Sequence, residues 1–144
     1  MNEDLKKRRV KKSEAGFTLM ELIVVMVILG MLAAVVGPRV YNSIMKGRDQ
    51  IAKIQLSEIE SALMLYSFEV GRFPSTAEGL QALVQNPSGL ETWKGPYLGK
   101  KEVPNDPWEK AYIYKSPGDH NDFDLSSAGA DGVEGTSDDI CSWK

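Results

Sequence analysis

The feature that most constrains this 144-residue chain is an apolar run near its start, at residues 17–38. These 22 residues contain one ionisable side chain, Glu21. A helix rises about 1.5 Å per residue, so a segment of this length spans the roughly 30 Å hydrocarbon core of a bilayer. The run therefore predicts a single transmembrane helix.

A basic segment precedes the apolar run. Residues 1–16 hold six of the 17 basic residues and three of the 20 acidic residues of the chain. By the positive-inside rule this excess keeps the N-terminus in the cytoplasm and sends the C-terminal part across the membrane. Residues 17–144 are left with a formal net charge of −6. That charge argues against nucleic acid as a partner, because nucleic-acid binding needs a basic surface.

The junction between the two segments carries a motif, GFTLMEL at residues 16–22. An ordinary signal peptide would place a small-x-small cleavage site after its apolar region, whereas this chain has Gly37 followed by Pro38 there. The order found here resembles the class III signal of type IV prepilins and pseudopilins, with an ordinary signal anchor as the alternative. The resemblance implies that a prepilin peptidase cuts between Gly16 and Phe17, and that Phe17 is then N-methylated.

Glu21 needs a physical explanation, because an ionised carboxylate in hydrocarbon costs about 2.5 to 3.5 kcal/mol. A carboxylate in the first turn of a helix is favoured by the helix dipole. After cleavage, the amine of Phe17 lies one turn away from it. For the monomer, the alternative is that water hydrates the Glu21 carboxylate at the level of the lipid headgroups. For the assembled state, the resemblance implies that Glu21 pairs with the amine of a neighbouring subunit.

Helical periodicity continues beyond the membrane segment. Apolar residues recur at spacings of three and four, which predicts one apolar face against which a head domain packs. Pro38 predicts a kink or local unwinding, and Gly71 predicts the end of the helix. The residues of the predicted face are Ala52, Leu56, Ile59, Leu63, Tyr66 and Val70.

The remaining residues predict one small α+β head. A short second helix is expected at residues 76–84, with Thr76 as its cap. Alternating patterns predict two antiparallel strands, at residues 111–115 and 122–127, and the acidic residues between them are read as a turn and a strand edge. We expect Trp93, Trp108 and Trp143 to fill the core between the head and the helix.

Several segments narrow the resemblance to one family. GRFPSTAEGLQALVQNP, VPNDPW and YIYKSPGDHNDFDLSSAGADG resemble the major pseudopilin family of type II secretion systems, and the likeness runs from residue 16 to residue 143. It implies a type IV pilin-like fold with a leader at 1–16, a transmembrane and assembly helix at 17–38, and a periplasmic domain at 39–144. That domain comprises a helix continuation at 39–70 and a head at 71–144. The chain departs from the family in a shorter loop at residues 135–139 and in carrying Cys141.

The C-terminal loop has the composition of a calcium site. Asp131, Asp138 and Asp139 alternate with glycines, which offers hard oxygen ligands on a flexible backbone. Zinc is disfavoured, because His120 and Cys141 are the only soft ligands in the chain. The residues alone leave open a solvated acidic turn. The resemblance implies Ca²⁺ held by the side chains of Asp131 and Asp138 and by the backbone oxygens of Ala128, Val133 and Thr136, with Asp139 as a further candidate.

Nothing in the sequence predicts an enzyme, since it has no G-x-S-x-G, no recognisable Cys/His pair and no phosphate-binding glycine loop. The resemblance implies a homopolymer, the pseudopilus, which moves folded exoproteins through the outer membrane. Its implied partners are minor pseudopilins, inner-membrane type II secretion assembly proteins and the prepilin peptidase. It would cross the inner membrane once, with its C-terminal domain in the periplasm. The alternatives are a type IV pilin of a surface pilus and a monomeric, membrane-tethered calcium-binding module.

Overall fold

A computed structural model describes residues 16–144. The predicted leader, apart from Gly16, lies outside the described residues. The chain divides into two compact units, with the boundary between Tyr41 and Asn42. The described part of the first unit is almost entirely helix, and the second unit holds the rest of that helix together with the head.

Helix α1 runs over Leu19–Val70, 52 residues in all. It is the one helix in the described residues that is long and apolar enough to cross a membrane. Its apolar window is not buried at all, and Phe17, just before it, is 87% exposed. Because none of this apolar window is buried among residues 16–144, its apolar surface is available to lipid or to other proteins.

Pro38 lies inside α1, and the residues on both sides of it are helical. The helix is therefore not unwound at Pro38, and of the two predicted effects only the kink stays a prediction. A proline removes one backbone donor, but the neighbouring helical hydrogen bonds can persist around it. The predicted end of the helix is confirmed. Gly71 has φ +85° and donates its N–H to the carbonyl of Ser67 at 2.8 Å, in the left-handed conformation that closes many helices.

The core of the second unit forms on the predicted face of α1. Ile59, Leu63 and Tyr66 are fully buried, and Ala62 joins them on the same face. They pack against apolar residues from the whole length of the head, so the predicted face is confirmed. The head contributes Leu80, Ala82, Leu83, Tyr112, Phe123, Leu125 and Ile140 to this core.

The predicted second helix at residues 76–84 is wrong in type and extent. Residues 76–79 form turns, and a 3₁₀ helix follows at Leu80–Leu83. Gly79, with φ +60° and ψ −168°, is not helical and separates the two parts. Thr76 is not the cap either. Ser75 and Glu78 bond each other reciprocally instead, through Ser75 N–H to Glu78 Oε2 (2.7 Å) and Glu78 N–H to Ser75 Oγ (3.3 Å).

The two predicted strands are confirmed and a third is added. Strands β1 (Ile113–Lys115), β2 (Asp124–Ser127) and β3 (Ile140–Cys141) form an antiparallel sheet in the order β1-β2-β3. Tyr114 pairs with Leu125, and Ser127 pairs with Ile140. Strand β3 has two residues, too few for an alternating pattern to show. Residues 128–139 therefore form the loop that joins β2 to β3.

Two of the three tryptophans are placed as expected. Trp93 and Trp108 pack against the core. Trp143 does not, and the prediction for it is wrong. Its ring stacks on His120 with the centroids 4.4 Å apart and the planes 10° apart. Since Trp143 follows β3 and His120 lies in the β1–β2 turn, this contact fastens the end of the chain to that turn.

Candidate functional site

The first candidate site is the start of α1, where Glu21 lies. Thr18 directly precedes the helix. The Glu21 carboxylate accepts the Thr18 N–H at 2.9 Å and the Thr18 hydroxyl at 3.1 Å, and the Glu21 N–H points back to the Thr18 hydroxyl at 3.2 Å. This reciprocal arrangement is a capping box, which satisfies donors that the first turn of a helix otherwise leaves free.

This capping box was not predicted from the sequence, although its signature, a Thr followed three residues later by a Glu, is present at Thr18 and Glu21. It gives the Glu21 carboxylate partners within a single copy of the chain. Phe17 is linked to Gly16 in the full chain, so its nitrogen is an amide and carries no charge. Gly16 and Phe17 are both exposed, which leaves their peptide bond accessible.

The second candidate site is the loop at residues 128–139. The Asp131 N–H donates to Asp138 Oδ2 at 3.0 Å, and the Val133 N–H donates to Asp131 Oδ1 at 2.8 Å. The Thr136 hydroxyl donates to Asp138 Oδ1 at 2.5 Å and lies 3.2 Å from the Val133 carbonyl oxygen. The structure thus brings four of the predicted ligand residues into direct contact with one another.

The other two predicted ligands are held nearby by different partners. The Ala128 carbonyl accepts the Gly132 N–H at 3.2 Å. Asp139 Oδ2 accepts the Gly135 N–H at 2.7 Å. Each of these bonds folds the loop back on itself. Asp139 also lies 3.5 Å from the Thr136 hydroxyl through its Oδ1, which links it to the first group of ligands.

Asp138 is the best-supported carboxylate of the loop. The Thr136 hydroxyl and the Asp131 N–H lower the pKa of the Asp138 carboxyl by bonding its charged form. Gly129, with φ +63°, lies so close to Asp138 that a Cβ at position 129 would clash with Asp138 Oδ2 and with the Asp138 carbonyl. The loop therefore closes on Asp138 and leaves no room for a side chain at position 129.

The donor set of the loop fits calcium. All the candidate ligands are oxygen atoms, as a hard cation requires: they come from the Asp131, Asp138 and Asp139 carboxylates and from the backbone of Ala128, Val133 and Thr136. Within residues 16–144, no three His, Cys, Asp or Glu side chains converge on one point. An ion at this loop must therefore draw several of its ligands from backbone carbonyl oxygens, such as those of Ala128 and Val133.

The acidic residues between β1 and β2 form a turn, as predicted. Asp124 is 7% exposed and accepts the N–H groups of Asp119 (2.8 Å) and His120 (3.3 Å), while His120 Nδ1 lies 2.9 Å from it. Burial raises the pKa of the Asp124 carboxyl, but the bonds from His120 and Asp119 more than offset that effect and lower it. The Asp124 carboxylate oxygens therefore accept the hydrogen bonds that hold this turn together.

Comparison with known proteins identifies both parts of the chain. Residues 39–143 match the family described as "Type II secretion system (T2SS), protein G", and residues 11–37 match the "Prokaryotic N-terminal methylation motif". A type II secretion system core protein G of Pseudomonas aeruginosa is 44% identical over 140 residues, which cover 92% of this chain and 97% of that protein. The protein of the same name from Escherichia coli strain K12 is 38% identical and covers 94% of each chain.

A solved structure agrees with the observed fold. The crystal structure of the major pseudopilin from the type 2 secretion system of enterohaemorrhagic Escherichia coli matches with a TM-score of 0.61 and 34% identity. The match covers 71% of this chain and 87% of that one. With the long α1, the three-stranded antiparallel sheet and the methylation motif, these likenesses confirm the predicted α+β, type IV pilin-like fold. The chain belongs to the protein G family of type II secretion systems, the family of the major pseudopilins.

Proposed function

We propose that this protein is the structural subunit of the periplasmic pseudopilus of a type II secretion system. Copies polymerise through the first half of α1 into a helical filament, and the filament helps to push folded exoproteins through the outer membrane. The observation that carries this proposal is the apolar first half of α1, whose membrane-length window has no buried residue within the part of the chain that the structure describes. A surface of that size needs lipid before assembly and neighbouring copies after it.

The start of α1 suggests how assembly would proceed. In the uncleaved chain the Glu21 carboxylate is satisfied by Thr18. Cleavage after Gly16 would create a charged, methylated amine at Phe17, one turn from Glu21. Moving an unpaired charge into hydrocarbon costs about 2.5 to 3.5 kcal/mol, so a carboxylate that faces the amine of a neighbouring copy would favour the assembled filament.

The basic leader supports a definite orientation. By the positive-inside rule the N-terminus stays in the cytoplasm. In a type II secretion system the membrane would then be the bacterial inner membrane, and the head would lie in the periplasm. Prepilin peptidase would then meet the exposed bond between Gly16 and Phe17 on the cytoplasmic side. Minor pseudopilins and inner-membrane assembly proteins of the secretion system are the further partners that we propose, on the ground of the family to which the chain belongs.

We also propose that the loop at residues 128–139 binds Ca²⁺. The supporting observations are its oxygen-only donors and the contacts among Asp131, Val133, Thr136 and Asp138. Residues 130–135 are exposed, so burial orders them little, and an ion would supply the missing order. By analogy with other extracellular modules we expect a Kd on the order of 10⁻⁴ to 10⁻³ M.

The filament proposal is tested by producing the chain together with a type II secretion assembly machinery. We expect filaments by electron microscopy, and an intact mass that corresponds to residues 17–144 plus one methyl group. A processed protein that stays monomeric in the membrane under these conditions would contradict the filament proposal and favour the tethered module. The calcium proposal is tested separately, by melting the full chain in detergent with Ca²⁺, with Mg²⁺ and with chelator.

A further inference from the structure

A buried carboxylate lies outside both candidate sites. Asp106, in the run VPNDPW, is 4% exposed. Its Oδ1 accepts the N–H groups of Trp108 (3.0 Å) and Lys110 (2.8 Å), and its own N–H donates to the Lys110 carbonyl at 2.8 Å. A buried carboxylate is tolerated only when its oxygens are hydrogen-bonded, and these bonds close the turn at residues 106–110 around it.

The second oxygen of Asp106 reaches another part of the chain. Ser127, the last residue of β2, is fully buried, and its hydroxyl donates to Asp106 Oδ2 at 2.5 Å. The same hydroxyl oxygen accepts the Gly129 N–H at 3.2 Å. Because the Ser127 hydroxyl donates its one proton to the Asp106 carboxylate, its oxygen can only accept a hydrogen bond from the Gly129 N–H. The charge of Asp106 also strengthens this second bond, since linked hydrogen bonds polarise one another.

The bond to Gly129 orients one peptide group. The Gly129 N–H and the Ala128 carbonyl belong to the same planar peptide, in which they point in opposite directions when the bond is trans. With the N–H held by Ser127, the carbonyl points toward the loop, where it accepts the Gly132 N–H at 3.2 Å. That carbonyl is one of the predicted calcium ligands.

We propose that Asp106 and Ser127 are positioning residues that lock the Ala128–Gly129 peptide and aim the Ala128 carbonyl into the loop at residues 128–139. The pair couples the turn at residues 106–110 to that loop, although 21 residues separate Asp106 from Ser127. The locking of the peptide stands on the contacts alone, and the consequence for ion affinity rests on the proposed calcium site.

The first experiment measures amide hydrogen exchange at Gly129 by NMR, in the calcium-free full chain in detergent. Ser127→Ala removes the acceptor, so we expect the Gly129 amide to exchange about tenfold faster. The matched control is Ser126→Ala, one residue earlier on β2. Ser126 is also buried, at 5% exposed, and its side chain makes no hydrogen bond within the described residues. Equal Gly129 exchange in the two variants would overturn the proposal.

The second experiment titrates the same proteins with calcium chloride and follows the loop amides. We expect Ser127→Ala and Asp106→Asn each to raise the Kd for Ca²⁺ by about 10-fold to 100-fold, the usual effect of losing a group that orients a ligand. The double variant should bind as weakly as either single one, because the two residues act as one unit. Unchanged affinity in both single variants would contradict the coupling.

The two experiments separate this inference from the calcium proposal. If the wild-type chain does not titrate with calcium chloride, the calcium site fails, while the Gly129 exchange rates still decide whether Asp106 and Ser127 hold the peptide. Amides of the α1 core serve as a folding check. Exchange that rises equally at Leu63 and at Gly129 in Ser127→Ala would assign to Ser127 a general role in stability and overturn the specific one.

Discussion

The two halves of α1 have the same secondary structure but differ in how their apolar side chains are covered. In the first half every large apolar side chain is exposed, as Leu32 is at 57%. In the second half one face is buried, as Leu63 is at 0%, while other faces stay polar or exposed. A helix that is apolar all round needs a partner from outside the chain, whereas a one-sided helix finds its partner in its own head. The comparison predicts separable effects on assembly and on folding.

The largest effect is expected at the cleavage point. Gly16→Leu should abolish processing, because the peptidase is expected to require a small residue at the cut, and the intact mass should remain that of the 144-residue precursor. Filaments should be absent although the head stays folded. Gly30→Leu is the control for processing alone, since it puts the same side chain into the apolar helix away from the cut, and no described atom lies within 4 Å of a Cβ at either position. Normal processing of Gly16→Leu would refute the assignment of the cut.

Glu21→Ala should separate processing from assembly. We expect normal cleavage but filament yields at least tenfold lower, because a neighbouring amine would enter hydrocarbon without its counter-charge. Filament length and number by electron microscopy are the measurement. Thr18→Ala is the control for helix capping, since it also breaks the capping box but keeps the carboxylate. Equal losses in the two variants would favour capping over intersubunit pairing.

A matched pair of leucines tests the comparison between the halves directly. Leu63→Ala should lower the free energy of unfolding of the head by about 3 kcal/mol, because it removes a fully buried side chain from the core. Leu32→Ala should change it by less than about 0.5 kcal/mol. Both are measured by denaturant unfolding of the full chain in detergent. A similar loss for Leu32→Ala would mean that the first half also supports the fold of the head.

Calcium should stabilise the head by a smaller amount. At an ion concentration of about 100 times Kd the gain is about 2.7 kcal/mol, seen as a higher melting temperature with Ca²⁺ than with chelator. Asp131→Ala and Asp138→Ala should each abolish this shift, and Asp122→Ala, in the β1–β2 turn, should not. Mg²⁺ should substitute poorly, because it demands a smaller octahedral shell. A melting temperature that is the same with all three additions would contradict the calcium site and indicate that the loop is a solvated acidic turn.

The smallest effect is expected at the turn that follows α1. Arg72 bonds both carboxylate oxygens of Glu78 at 2.7 Å, and this contact, with the Ser75 N–H, lowers the pKa of the Glu78 carboxyl to about 2. Glu78→Gln should therefore cost about 1 kcal/mol at neutral pH.

The pH dependence of that cost has a definite sign. The unfolded chain takes up a proton on Glu78 near its ordinary pKa of 4.5, before the folded chain does. The stabilisation is therefore complete above about pH 4.5 and is lost as the pH falls toward 2. Urea unfolding at pH 7, 4 and 3 should show the gap between wild type and Glu78→Gln closing. A gap independent of pH would assign the cost to packing.

Several features were predictable because local signals encode them. The transmembrane run, the apolar face of α1, the Gly71 end and the β1–β2 hairpin each depend on periodicity or on turn residues within a few positions. The capping box at Thr18 and Glu21 and the reciprocal bonds between Ser75 and Glu78 were equally readable, because a Ser or Thr followed three residues later by a Glu is their signature. The calcium ligands and the cleavage point stay predictions.

By itself the sequence determined that one helix is apolar all round and then one-sided, since each pattern follows from 3.6 residues per turn. It did not determine which polar groups meet across the head. Thr76 bonds Ser116 forty residues away, Trp143 stacks on His120, and Asp106 holds Ser127 in the interior. Only the packed tertiary structure decides such pairs, because a buried polar group must bond whatever the fold brings within reach, and no periodicity records that partner.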